Sequence, residues 1–67
     1  MTALRIVSTD PRLTRPARSW SGAEERARRV ALLVGSAEIQ QRERTGAWLT
    51  IERFECISGR VRRREER

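Results

Sequence analysis

A chain of 67 residues with one cysteine and no histidine has neither a disulfide nor a metal cage to hold it, because a disulfide needs a second thiol and structural zinc wants four Cys or His ligands. Its fold must rest on apolar burial alone. A domain near this size buries only about 60% of the surface its unfolded chain exposes, so each core position carries weight. The expected core is Leu4, Ile6, Val30, Leu33, Val34, Leu49, Ile51, Phe54 and Val61. That is a thin core for a domain, and self-association is the most direct way to enlarge it, so a homodimer is expected.

The chain is also strongly basic. Fifteen Arg and no Lys stand against nine Asp and Glu, for a net charge of +6. The choice of Arg over Lys is what a GC-rich genome writes everywhere, whereas the net charge favours polyanionic partners and says nothing about fold. The longest apolar run, Val30 to Val34, falls far short of the roughly 20 residues that a spanning helix needs. The N-terminus places Arg5 inside a short apolar stretch and lacks the charged-then-apolar order of a secretion signal. A cytoplasmic location without a membrane partner is therefore expected.

Leu4 and Ile6 alternate with Arg5, which reads as a strand over residues 3–8. Residues 9–19 hold Pro11 and Pro16, and the run from Pro11 to Arg18 has three Arg and no acid. Both prolines oppose a helix, so this segment is expected to be a basic extended arm or loop. Ser21 and Glu24 have the spacing of a capping box, which predicts a helix start. Ala23, Ala27, Val30 and Val34 then share one face, while Glu24 with Arg28 and Glu25 with Arg29 pair at i,i+4 on the rest. Gly35-Ser36 interrupts this pattern, yet Glu38 with Arg42 is a further i,i+4 pair and Thr45-Gly46 a second C-cap signal. The expectation is a break at Gly35 with helix through the Gln40 region. In an unbroken helix, Leu32 and Ile39 would instead form an exposed seam for an oligomer or partner. The competing reading makes 37–44 a strand that turns at Thr45-Gly46.

From Ala47 to Ile57, Leu49 and Ile51 alternate with Trp48 and Thr50 as in a half-buried strand. Phe54 and Cys56 fall on the opposite parity, which a bulge near Glu52-Arg53 would reconcile. Ser58-Gly59 reads as a two-residue hairpin turn. That turn sets Cys56 opposite Val61 and Glu55 opposite Arg62, but also Arg53 opposite Arg64 and Glu52 opposite Glu65. Like charges face to face should end the ladder. A short hairpin over 54–63 follows, with 47–52 left to pair with the N-terminal strand and 64–67 frayed. The predicted fold is α+β, one domain over 1–67 in the order β-α-β-β, with the helix on a small antiparallel or mixed sheet.

Two arginine clusters are the candidate site: Arg12, Arg15 and Arg18 in the arm, and Arg60, Arg62, Arg63 and Arg64 near the C-terminus. If residues 3–8 and 60–64 share a sheet, both could converge on one surface for phosphate, to which guanidinium donates paired hydrogen bonds. An arm in a minor groove or a ribbon in a major groove are the available duplex geometries. Trp20 and Trp48 could stack unpaired bases, although a Trp in a small domain is ordinarily core. The plain alternative for the arginines is solvated surface, with Glu65 and Glu66 offsetting the second cluster.

Residues 30–46 are faintly similar to the helix-turn-helix of MerR-like regulators and excisionases. Ala31 stands four before Gly35, Ser36 follows it, and the segment ends Arg42-Glu43-Arg44-Thr45-Gly46. The resemblance implies DNA recognition by a second helix, but that helix is about two residues too short between Gly35 and Ile39 for the motif. The family is not assigned on it.

Catalysis is not expected. With no His, Lys or Tyr, a general base would be a carboxylate, and most carboxylates here lie within reach of an Arg that holds their pKa low. The glycines at 22, 35, 46 and 59 are spread as caps and turns rather than gathered into a phosphate loop. Cys56 reads as a small strand hydrophobe. No cofactor or metal is expected. The sequence therefore points to a non-catalytic regulatory or accessory protein that binds DNA or RNA. One alternative is a small inhibitor or adaptor that docks on an acidic protein surface, as phage- and plasmid-encoded anti-CRISPR and host-takeover proteins do; another is a structural subunit of a larger assembly.

Overall fold

The structure, a computed structural model, describes residues 3–65. The elements are β1 (Leu4–Val7), a 3₁₀ turn (Pro11–Leu13), β2 (Arg15–Ala17), α1 (Trp20–Val34), β3 (Ser36–Arg42), β4 (Trp48–Ile57) and β5 (Arg60–Glu65). The five strands form one antiparallel sheet in the order β2-β1-β3-β4-β5. With α1 packed on one face, the predicted α+β class holds, but β2 and β3 are additional strands.

Residues 9–19 are not a free arm. The Asp10 side chain accepts from the Arg12 amide at 3.0 Å, and Pro11 supplies the fixed φ that starts the 3₁₀ turn. The chain thereby reverses, and β2 pairs with β1, with Leu4 opposite Ala17 and Ile6 opposite Arg15. Pro16 is tolerated because β2 is an edge strand, where a missing N–H breaks no inner ladder.

The helix is capped by Ser19 rather than Ser21: the Ser19 hydroxyl accepts from the Gly22 amide at 3.1 Å. Either serine has the chemistry of a cap. Starting at Ser19 brings Trp20 into the first turn, where it packs against the core. The apolar face is the expected one, with Ala23, Ala27, Val30 and Ala31 buried and Val34 beside them. Its alanines let α1 lie close to the sheet.

Gly35 stops the helix. It adopts φ 99°, a left-handed conformation that costs glycine nothing, and its amide donates to the Ala31 carbonyl at 2.8 Å. Its own carbonyl accepts from the Cys56 amide at 2.9 Å and so fastens the helix end to β4. The chain continues as β3, which overturns both helix through the Gln40 region and the likeness to a helix-turn-helix. Ala37 and Ile39 alternate inward at strand spacing, and Ile39 is 0% exposed. The Leu32–Ile39 seam does not exist, because Leu32 is 57% exposed on α1 while Ile39 lies in the core.

β4 pairs with β3 rather than with the N-terminal strand, since β3 lies between the two. Ile39 stands opposite Glu52 and Gln40 opposite Thr50, so Ile51 is one residue too many, a β-bulge. Ile51 and Glu52 are both buried, and the inward face resumes at Phe54. The bulge sits just before its expected place. Across the β4–β5 turn, Ser58 and Gly59 take φ 53° and 78°, the two positive values that a type I′ hairpin requires. The register is the expected one, but the ladder runs on through Arg53 opposite Arg64 and Glu52 opposite Glu65. Glu38 of β3 accounts for the first of these, because its carboxylate holds Arg53 at 3.4 Å and offsets the like charges. Arg64 and Glu65 are thus strand, not frayed end, and residues 66–67 lie outside the described residues.

The core consists of Ile6, Ala23, Ala27, Val30, Ala31, Ala37, Ile39, Ile51 and Phe54. Of the expected members, Leu4, Val34 and Val61 are only partly buried and pack against this core, while Leu33 is 75% exposed and Leu49 48% exposed. Leu33 sits on the flank of α1 beyond the stripe of Ala27, Val30 and Ala31, and the alanines with Ile39 take the vacated role. Among the described residues no helix is long and apolar enough to cross a membrane.

Ile39 and Leu32 separate a core position from a surface one. Ile39→Ala should destabilise the protein by about 2–5 kcal/mol, whereas Leu32→Ala should stay within about 0.5 kcal/mol. Urea unfolding of both variants checks this.

Candidate nucleic-acid interface

Residues directly opposite one another in a ladder share a face of the sheet. The register that turns Ile6, Ala37, Ile39 and Phe54 toward α1 therefore sends Arg5, Gln40, Trp48 and Thr50 to the other side. The same alternation places Glu38, Arg42, Arg53 and Glu55 there, together with Arg60, Arg62 and Arg64 of β5. No described element covers this face. It carries six arginines (5, 42, 53, 60, 62, 64) against two glutamates (38, 55).

Its centre is a single chain of hydrogen bonds. Arg5 Nε donates to Gln40 Oε1 at 2.8 Å, Gln40 Nε2 donates to Thr50 Oγ1 at 3.2 Å, and Thr50 Oγ1 donates to Glu38 Oε1 at 2.7 Å. Chemistry sets the direction. Arginine can only donate, so Gln40 must offer its oxygen to it and its amide to Thr50; the Thr50 proton then has to go to a carboxylate that only accepts. Glu38 Oε2 takes Arg53 Nη2 at 3.4 Å and closes the row. At the other end the Arg5 guanidinium carbon sits 4.1 Å over the centre of the Trp48 ring, a cation–π contact. Arg5 is therefore held in one place by its stack and by its Nε bond.

The two predicted clusters do not meet. Arg15 lies on β2 and Arg60, Arg62, Arg63 and Arg64 on β5, the two opposite edges of the sheet. At about 4.8 Å per strand this separates them by about 19 Å. Within the first group, Arg12 is occupied by Asp10, with Nη2 to Oδ2 at 3.2 Å, Arg15 shares the helix-side parity of Ile6, and Arg18 is an exposed link between β2 and α1. The second group splits by parity: Arg63 turns toward α1 and meets Glu24 at 3.7 Å, whereas Arg60, Arg62 and Arg64 share the uncovered face. Among the described residues, Arg42, Arg60, Arg62 and Arg64 have no carboxylate at ion-pair distance.

Arg5, Gln40, Thr50 and Arg42 were not among the predicted site residues. The available signal was the strand alternation of Glu38 and Gln40 with Ala37 and Ile39, which puts two polar side chains opposite the core. Comparison with known protein families, with characterised proteins and with solved structures finds no match to this chain.

Asp10 reports how far Arg12 is engaged. Its carboxyl is held below the ordinary 3.8, first by the Arg12 side chain and then by the Arg12 amide. A lowered folded value contributes stability that is fully present above 3.8 and is lost as pH falls through the lowered value. Arg12→Ala should move the Asp10 titration, followed by NMR, back toward 3.8 but leave it somewhat low, because the amide bond remains.

Proposed function

We propose that the protein is a non-catalytic binder of single-stranded nucleic acid, and that the strand lies across the uncovered face of the sheet. The observation that carries this reading is the gathering there of Arg42, Arg60, Arg62 and Arg64, none with a carboxylate at ion-pair distance among the described residues. Exposed guanidinium groups without internal partners are ready phosphate ligands. Their repulsion in the free protein is relieved when a polyanion arrives.

A single strand fits better than a duplex. The five-stranded face, about 19 Å between its edge strands, is too broad for a major groove about 12 Å wide, and among the described residues no free arm is left for a minor groove. Unpaired bases, in contrast, can stack on aromatic rings and guanidinium planes on an open sheet. Arg5 over Trp48 supplies such a platform, with Arg42 opposite Trp48 and Arg60, Arg62 and Arg64 further along the same face.

The homodimer expected from the small core remains compatible with this reading only away from the sheet edges. Pro16 blunts β2 and the arginines of β5 repel a second copy, both common guards against edge pairing.

Fluorescence anisotropy with a labelled oligonucleotide of about 15 nucleotides checks the proposal. Four phosphate contacts predict a log–log slope of affinity against salt of about −3 for a single strand. Replacing Arg60, Arg62 and Arg64 together with Ala should weaken binding by more than about tenfold and flatten the slope by about two to three. Absence of binding at micromolar protein in low salt, or a salt slope unchanged by the triple substitution, contradicts it.

A further inference from the structure

Arg5 differs from Arg42, Arg60, Arg62 and Arg64 on this face because it is immobilised. Its Nε is committed to Gln40 and its guanidinium carbon sits 4.1 Å over Trp48. Its two terminal nitrogens make no hydrogen bond among the described residues. They carry the remaining N–H donors of the guanidinium in one plane. A mobile surface arginine loses rotamer freedom whenever it grips a ligand, whereas this one has already lost it. Binding energy is not spent on ordering the side chain.

We infer that Arg5, set by Trp48 and Gln40, is a base-recognition subsite for guanine; the inference rests on the single-strand reading above. A fixed pair of donors asks for a pair of acceptors side by side. Guanine offers O6 and N7 on one edge, while adenine sets an N6–H donor beside N7 and would turn donor against donor. A phosphate also presents paired acceptors, and it is the rival source of the same chemistry. The surroundings favour a base. A flat purine held by the guanidinium can also lie against the indole, whereas a hydrated tetrahedral anion gains nothing from an aromatic ring. Phosphates have the unstacked arginines of β5 to go to.

The Gln40–Thr50–Glu38 row is then part of the recognition device, since it fixes which edge of Arg5 is left outward. Gln40 and Thr50 touch no base in this account; they position the guanidinium. Losing Gln40 should therefore reduce discrimination without removing a charge.

The test uses the whole protein and thymine oligonucleotides of equal length that carry one guanine, adenine, cytosine or 7-deazaguanine at the centre, a single substitution that avoids guanine quadruplexes. Guanine should bind about tenfold tighter than thymine or adenine, the size of one paired contact, and 7-deazaguanine, which lacks the N7 acceptor, should lose that advantage. Arg5→Lys keeps the charge but not the paired donors, so it should level the bases while leaving the salt slope unchanged; Gln40→Leu should narrow the preference part of the way. Equal affinity for guanine and 7-deazaguanine, or for guanine and cytosine, overturns the inference. If all oligonucleotides bind alike with a steep salt slope, the subsite falls and the single-strand reading stands. If none binds, both fall together.

Discussion

The extra residue that β4 carries at Ile51 sets the side of the sheet on which every other residue of that strand lies. Without it, strict alternation would put Leu49, Ile51 and Arg53 on one side and Trp48, Thr50, Glu52 and Phe54 on the other, so that either Phe54 or Ile51 would leave the core. With it, Ile51 and Phe54 both reach α1, and Trp48, Thr50 and Arg53 share the opposite face. The polar row across that face depends on the same irregularity. Thr50 and Arg53, three apart along β4, both reach Glu38 on β3.

A chain this short has one helix, and one helix covers one face of five strands. The other face must then be stable in water on its own account. The protein meets this with cross-strand polar contacts in place of a second apolar layer: a stacked Arg–Trp pair at one end, a directional row of hydrogen bonds in the middle, and a charge pair against Arg53. Such contacts are individually worth little at a surface. Their effect here is to hold side chains in fixed places. Beside this ordered patch, Arg60, Arg62 and Arg64 of β5 have no carboxylate at ion-pair distance among the described residues, so the face combines an immobilised guanidinium with a set of available ones. That combination gives the proposed division of work between base and phosphate.

Much of the fold could be read from the sequence where a local rule decided the matter. The helical stripe of Ala23, Ala27 and Val30 is a periodicity, the β4–β5 register follows from a two-residue turn, and the parity change between Ile51 and Phe54 demands a bulge. What could not be read depends on neighbours distant in sequence. β3 was mistaken for helix because Glu38 and Arg42 suit i,i+4 pairing as well as strand alternation does; only pairing with both β1 and β4 decides between them. β2 has three residues and a proline, no signal until β1 lies beside it. The ladder was expected to stop at Arg53 and Arg64 because a pairwise argument omits the third strand, where Glu38 waits. The site was obscured for the same reason. Arginines adjacent in sequence were grouped together, whereas the sheet groups them by parity and strand order, separating Arg63 from Arg62 and Arg64 and bringing Arg5 to Trp48 across 43 positions of sequence.

The central claim is that the uncovered side of the sheet, and not the helix side, receives an anionic strand. Backbone amide NMR during titration with a single-stranded oligonucleotide tests it most directly. The account predicts that the largest shifts fall on β4 and β5, from Trp48 to Arg53 and from Arg60 to Arg64, with Arg5 and Gln40 moving alongside them. Shifts centred on α1 or on the Asp10–Arg18 segment would contradict it.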